Sequence, residues 1–137
     1  MLPFEFIVEG PPLSHQTRSP ARLQAWRVAV RAAASARWPS GQPAVTGSLL
    51  LTVVYYHEPL AIRMDNDNLV KPIQDALIGL VYVDDQQITD TRVRKTSIDG
   101  VFRVRHMSPV LAEGFVRGVA FIHVRVEEAP NHAELLR

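Results

Sequence analysis

The chain contains no cysteine, which excludes disulfide scaffolds, cysteine-ligated zinc, iron–sulfur clusters and thiol nucleophiles. It has no uncharged apolar run close to the roughly 18–20 residues that a membrane span requires. The first residues lack the basic region of a signal peptide. Glycine-rich phosphate loops and the HExxH zinc motif are also missing. We therefore expect a cytoplasmic protein with no membrane partner.

Charge is unevenly distributed, although the net charge is only +1. No acidic residue occurs between Glu9 and Glu58, and the basic residues of that stretch are arginines and histidines. From Asp65 to Asp99 the balance reverses, because half of the 14 acidic residues lie there. Arginine suits bidentate phosphate contacts. The pattern fits two ordinary solvated faces, but it also fits a site that holds an anion beside a divalent cation.

The length of 137 residues predicts a single domain over 1–137, with a frayed tail over 130–137. Apolar periodicity and turn residues predict the elements. In chain order they are a strand over 3–9, a helix starting at Ser19-Pro20, an interior strand over 47–56, a helix over about 68–80 with Pro72 in or near its first turn, a strand over 87–98, a hairpin partner over 100–106, one helical turn at Ser108-Pro109 and a strand over 116–126. This order predicts an α+β fold with a single mixed β-sheet and two main helices packed on one face.

Asp65 and Asp67 are two residues apart, so in extended backbone their side chains point the same way. Two carboxylates on one side repel each other unless a cation lies between them, and Mg²⁺ typically takes one or two carboxylates plus waters. The turn Asp84-Asp85 follows the next helix, and docking of that helix on the sheet could return a third carboxylate to the pair. Lys71 could then stabilise charge on a phosphate.

Each of these residues also has a structural interpretation. Asp65 and Asp67 fit a helix cap, Asp84-Asp85 fits a surface turn, and Lys71 fits an ion pair with Asp75 four residues on. An EF-hand is excluded, because the required glycine and glutamate positions counted from Asp65 are valine and alanine. No Ser-His-Asp order is suggestive of a triad.

The combined pattern over residues 65–88 is more specific than its parts. It reads Asp-x-Asp-Asn-x-x-Lys-Pro-x-x-Asp-Ala-Leu-x-Gly-x-x-Tyr-x-Asp-Asp-x-Gln-Ile. This pattern resembles the signature of the RusA family of Holliday-junction resolvases. An opening strand that ends in Gly-Pro, a basic helix and a long apolar strand extend the resemblance. A lysine and arginine cluster that relatives often carry after the first Gly-Pro is missing here, which puts the strength of junction binding in question.

The resemblance implies a small homodimeric, Mg²⁺-dependent endonuclease that cuts four-way DNA junctions symmetrically, with Mn²⁺ as a substitute ion. It maps the metal ligands to Asp65, Asp67 and Asp85, and the essential lysine to Lys71. Asn68 matches the asparagine of the motif, Asp84 precedes the ligand, and Asp75 matches a recurrent position whose role we expect to be structural. Cleavage would leave 5′-phosphate and 3′-hydroxyl ends.

DNA-backbone contacts are expected from basic and amide side chains that lie around this motif. The set comprises Arg18, Arg22, Arg27, Arg31, Asn68, Lys71, Arg92 and Arg94, with Lys95 beside them. Such contacts predict a steep salt dependence and little sequence reading. Trp26 and Trp38 could stack on bases, but we expect them to pack in the core.

A four-way junction has approximate two-fold symmetry, so a homodimer is expected to make its paired cuts. The closing strand and segment 107–116 are the two candidate interfaces. Three alternatives stay open: a non-catalytic module that binds DNA junctions, a metal-dependent nuclease that acts on flaps or forks, and a structural domain with a capped helix and a charged turn.

Overall fold

A computed structural model of the chain describes residues 1–59, 63–100 and 103–134. One mixed four-stranded sheet, in the order β1-β4-β2-β3, forms its centre. Strands β2 and β3 run parallel, whereas β4 pairs antiparallel with both β1 and β2. The elements are β1 Phe4–Glu9, α1 Pro20–Ser35, β2 Leu49–His57, α2 Asn66–Ala76, β3 Ile88–Ser97, α3 Pro109–Arg117 and β4 Phe121–Glu128, with 3-10 turns at Asp85–Gln87 and His132–Glu134.

Helices α1 and α2 pack on one face of the sheet, which we call the near face. The α1 residues Leu23, Trp26 and Val30 are buried at the predicted helical spacing. Trp26 and Trp38 belong to the core of this face, which confirms core packing for both. The predicted α+β fold, with one mixed sheet and two main helices on one face, is therefore confirmed. No helix in the described parts of the chain has the length and apolarity needed to cross a membrane.

The opposite face of the sheet, called the far face here, carries a second apolar cluster. Leu111 of α3 packs there with Ile7, Tyr56 and Phe121. Helix α3 is a nine-residue helix, so the prediction of one helical turn followed by a strand from 116 was wrong. Ser108 Oγ accepts a hydrogen bond from Leu111 N–H at its start, and Gly118, with φ +70°, ends it. A C-terminal glycine in the left-handed region outweighed the alternation of small apolar residues.

Two other expectations also differ from the structure. The predicted hairpin partner is not formed, because residues 103–106 are not a strand. Strand β3 is an edge strand and is paired only with the parallel β2 among the described residues. Residues 101 and 102 of the predicted hairpin lie outside those residues. Helix α2 begins at Asn66 rather than about 68, so Pro72 lies inside it. The predicted frayed tail contains the turn His132–Glu134, in which His132 Nε2 lies 2.7 Å from Asp90 Oδ1; residues 135–137 are also outside the description.

Replacing Gly114 tests the contact between α3 and the sheet. A Cβ at this position would come within 3.0 Å of three ring atoms of Phe121. Helix propensity alone predicts that Gly114→Ala stabilises the protein by about 1 kcal/mol. We expect instead a loss of about 1–3 kcal/mol in the free energy of unfolding, because the ring is overpacked. Urea denaturation measures the sign, and a gain in stability would contradict the packing described here.

Candidate active site

The first turn of α2 presents two carboxylates to solvent. Asp65 occupies the N-cap position but makes no side-chain capping bond, and Asp67 lies in the first turn. Both side chains are exposed. The segment before them is anchored by Lys95 of β3, whose Nζ donates to the Met64 carbonyl at 2.6 Å. Asp65 therefore does not cap the helix through its side chain. Its carboxylate is not used in a capping hydrogen bond and is available to bind a cation.

A cavity of about 460 Å³ lies against this end of α2. Asp67, Asn68 and Lys71 line its helical side, and Thr91 and Val93 of β3 line the sheet side. Val93 packs at the edge of the near-face core, which places the cavity on the near face. His15, Val70 and Gln74 complete the lining. Three of the residues that the sequence singles out therefore share one cavity wall.

Lys71 links this helix to the turn that carries Asp85. Its Nζ lies 2.9 Å from Asp75 Oδ1 and 3.1 Å from Asp85 Oδ2. The predicted pair between Lys71 and Asp75 is therefore formed, and a second carboxylate shares the same ammonium. Hydrogen bonds from Lys71 to Asp75 and Asp85 raise the pKa of the lysine. The hydrogen bond from Lys71 in turn lowers the pKa of Asp85.

Gln87 fixes the turn that carries Asp84 and Asp85. Its Oε1 accepts from the backbone N–H groups of Val83, at 2.8 Å, and Asp84, at 3.0 Å. Its Nε2 donates to the carbonyls of Val45 and Gly47, both at 3.0 Å. The side chain thus ties this turn to the segment that enters β2. Gln87 belongs to the sequence pattern over residues 65–88, but the pattern alone does not predict this anchoring role.

Buried Tyr82 connects the segment before the same turn to helix α2. Its hydroxyl donates to the Gln74 carbonyl of α2. Burial is the main reason that its pKa is raised, with the charge of Asp85 adding to the effect. The phenol therefore remains a neutral donor, and it joins the turn to the helix at a second point.

Pro72 shapes the other side of the cavity. A proline has no N–H, so the carbonyl four residues earlier, at Asn68, has no helical donor. The backbone N–H of His15 donates to that carbonyl at 3.0 Å. The loop between β1 and α1 is thereby attached to α2 beside Asp67. A proline within the helix thus creates a docking point for the loop that borders the site.

The three predicted metal ligands are not assembled into one cage. Within residues 1–59, 63–100 and 103–134, no three carboxylate or imidazole side chains are grouped closely enough to hold a metal ion. The structure places Asp67 and Lys71 on one cavity and links Asp85 to Lys71, and Asp65 directly precedes α2. The donor chemistry fits a hard cation, because all three donors are carboxylates.

The predicted DNA-binding arginines fall into three groups. Arg31 donates to the carbonyls of Ala76, at 3.1 Å, and Ile78, at 2.7 Å, so it binds the end of α2. Arg27 NH2 lies 3.7 Å from Asp75 Oδ2. The contacts of Arg27 and Arg31 therefore support helix packing rather than phosphate binding.

The remaining arginines lie elsewhere. Arg18 and Arg22 are exposed near the docked loop, and Arg22 lines a cavity of about 500 Å³ with Arg63 and Met64. In the register of the parallel strands, Arg92 lies opposite Thr52 and Arg94 lies opposite Val54. The cavity residues Thr91 and Val93 lie opposite Leu51 and Val53. Because alternate strand residues face opposite sides, Arg92 and Arg94 lie on the far face, away from the cavity.

Replacing Gln87 tests its role in holding the turn. Gln87→Ala leaves two backbone donors and two carbonyls without this partner, so we expect a loss of about 1–3 kcal/mol in the free energy of unfolding. Gln86 is the matched control, because it is adjacent and exposed; Gln86→Ala should change stability by less than about 0.5 kcal/mol. Equal effects in urea denaturation would show that Gln87 does not anchor the turn.

The ion pair between Lys71 and Asp85 predicts a direction of titration. The Asp85 carboxyl should titrate below its ordinary pKa of about 3.9. Its pairing therefore contributes stability above that value, and the contribution is lost as the pH falls through the lowered pKa. Carboxyl-carbon NMR should show the Asp85 pKa rising in Lys71→Met. Lys95→Met serves as control, because Lys95 contacts the Met64 carbonyl instead, and it should leave the Asp85 pKa unchanged. An Asp85 pKa that rises only in Lys95→Met would contradict the assignment.

One protein-family model matches the part of the chain that carries the candidate site. The model described as endodeoxyribonuclease RusA matches residues 10–105, which is more than half of the chain. The matched range contains α1, β2, α2, the turn at Asp85 and β3. Curated proteins yield no match to this sequence. The length of the family match shows that the chain belongs to the RusA endodeoxyribonuclease family.

Proposed function

We propose that the protein is a Mg²⁺-dependent endonuclease that resolves four-way DNA junctions by paired phosphodiester hydrolysis. Membership of the RusA family supports endonuclease activity on Holliday junctions in general. The proposed Mg²⁺-dependent mechanism depends on one observation, the position of Lys71. This lysine lines the cavity of Asp67 and is ion-paired with Asp85. Lys71 thus connects the cavity of Asp67 with the turn that carries Asp85.

Asp65, Asp67 and Asp85 are the residues that would hold Mg²⁺, or Mn²⁺ in its place. When bound, the ion would activate water and offset negative charge on the scissile phosphate. Asp65 and Asp67 suit this role because both are exposed and neither has a basic partner among the described residues. Asp85 Oδ2 lies 3.1 Å from the Lys71 ammonium, and this position beside the cavity of Asp67 supports its inclusion in the ligand set.

Lys71 has a role of its own in this proposal. Its side chain is 42% exposed, so the ammonium reaches both the carboxylates and the solvent of the cavity. An ammonium at this position can stabilise the charge that develops on the phosphate in the transition state. The raised pKa of Lys71 keeps it charged at neutral pH. Asn68 and the docked loop, with Arg18 and Arg22, would contact the DNA backbone around the cleavage site.

A homodimer completes the proposal, because two symmetric cuts need two related sites. Strand β4 has a neighbour on each side, so the closing strand has no free edge for a partner. Segment 107–116 is the better interface, since Val116 of α3 is 86% exposed and Met107 is 44% exposed. We therefore place the dimer contact on α3.

Replacing Asp67 tests the proposed chemistry. Asp67→Asn should lower the cleavage rate of a labelled four-way junction in Mg²⁺ by on the order of 10²-fold or more. Junction affinity should be preserved or tightened, because a ligand is lost while repulsion of the DNA falls. Asp99→Asn, an exposed carboxylate in the turn after β3, is the control and should cleave normally.

The substrates in this assay separate the alternatives. A linear duplex and a flap of matched sequence are tested beside the junction, each with Mg²⁺ or EDTA. Wild-type binding without cleavage would favour the non-catalytic module, and faster cleavage of flaps or forks would favour the other nuclease. Full activity of Asp67→Asn in Mg²⁺ would contradict the proposed site.

A further inference from the structure

A group of arginines lies on the far face, on the half of the sheet formed by β2 and β3. Arg94, Arg103 and Arg105 line a cavity of about 260 Å³ with Thr96 and Tyr56. The other lining residue is Val104. Helix α3 packs mainly over β1 and β4 and reaches β2 at Tyr56, whose ring centroid lies 4.7 Å from that of Phe115. Two separate segments of the chain, β3 and residues 103–105, thus bring three guanidinium groups to one depression.

No ion pair to an acidic side chain is formed by these arginines among the described residues. Arg94, Arg103 and Arg105 are exposed, and none forms an ion pair within the described residues. By contrast, Arg37 is paired with Glu113, and Arg117 is paired with Glu9 and Glu113. The closest comparison on the same face is Arg125, which is paired with Glu5 and Glu127. The positive charge of the cluster is therefore uncompensated.

The chemistry of the cluster suits a phosphodiester backbone. Guanidinium groups bind phosphate through paired N–H donors, and the Thr96 hydroxyl adds another donor to the same cavity. Arg92 lies two residues before Arg94 on the same strand face, which extends the positive charge about 6.6 Å along β3. A surface longer than one phosphate fits a polyanion better than it fits a free phosphate or a nucleotide.

The sheet itself separates this cluster from the candidate active site. Thr91 and Val93 line the acidic cavity, whereas Arg92 and Arg94 alternate with them and face the other way. A duplex segment bound at the near-face cavity is therefore on the opposite side of β3 from the cluster. A branched DNA has further arms, and one of these could extend around the edge strand β3 to the arginines on the far face.

We propose that Arg94, Arg103 and Arg105 form a second DNA-backbone site, which binds a different arm of a branched substrate from the arm at the cavity. The inference rests on the proposed function for the identity of its ligand. It extends that function, because it assigns junction selectivity to a surface outside the acidic motif.

The test compares binding of a four-way junction with binding of a linear duplex of equal arm length. Fluorescence anisotropy is measured in EDTA, so cleavage is blocked, over a series of salt concentrations. In the triple variant Arg94→Ala, Arg103→Ala and Arg105→Ala, junction affinity should fall about 10- to 100-fold. The slope of log affinity against log salt should become less steep by about 2–3, since each lost phosphate contact contributes about 0.9. Duplex affinity should fall less than threefold.

Two control variants make the result specific. Arg37→Ala with Arg125→Ala removes arginines that are already ion-paired, and it should leave affinity and salt slope unchanged. Replacement of the three cluster residues by lysine should restore most of the salt slope, because a point charge is retained. Thermal unfolding of each variant confirms that the fold is intact.

An unchanged junction affinity and salt slope in the triple alanine variant would overturn the inference. An equal loss for junction and duplex would overturn it as well, because the cluster would then contact the same arm as the cavity. Failure of the wild-type protein to cleave any substrate would contradict the proposed function, whereas the binding measurement decides this inference independently.

Discussion

Repulsion between carboxylates is the constraint on which the candidate site depends. Asp75 and Asp85 come from a helix and from a turn that follows it, and the ammonium of Lys71 lies between them. One buried or half-buried cation can hold two carboxylates that would otherwise separate. The arrangement keeps the turn of Asp85 beside the cavity of Asp67. Every proposal about chemistry at this site assumes that this link between two chain segments is maintained.

Backbone-directed hydrogen bonds from polar side chains position the segments that meet there. Gln87 holds the turn, Lys95 holds the residue before Asp65, and Arg31 binds the end of α2. Lys95 and Arg31 contact carbonyls that lie 31 and 47 positions away in the sequence, and Gln87 also reaches the Val45 carbonyl, 42 positions away. Each such hydrogen bond adds little net free energy of folding, but a buried donor or acceptor without a partner destabilises the fold. These bonds therefore favour one arrangement of the loops. The helices and sheet supply the support on which these loops converge.

Much of the fold could be predicted from local patterns, because apolar spacing and cap residues act over a few positions. Helix α1 with Ser19 as its cap and interior strand β2 follow from such patterns. The start of α3 at Ser108-Pro109 was predicted but its length was not, since the choice between helix and strand beyond the first turn depends on packing of Leu111 against the far face. The helix-packing contacts of Arg27 and Arg31 could not be predicted for a related reason. A solvated cation and a helix-binding cation such as Arg31 look identical in sequence, and only the fold supplies the carbonyls.

The central claim is that aspartates from two segments bind one ion, and Mn²⁺ titration followed by amide NMR tests it most directly. Paramagnetic broadening falls steeply with distance, so it reports the ion's position without any need for turnover. We predict that the signals of Asp65, Asp67 and Asp85 broaden together at one Mn²⁺ equivalent, and that Mg²⁺ competition reverses the effect. Broadening of Asp65 and Asp67 with a sharp Asp85 signal, or broadening of none of the three, would contradict the account.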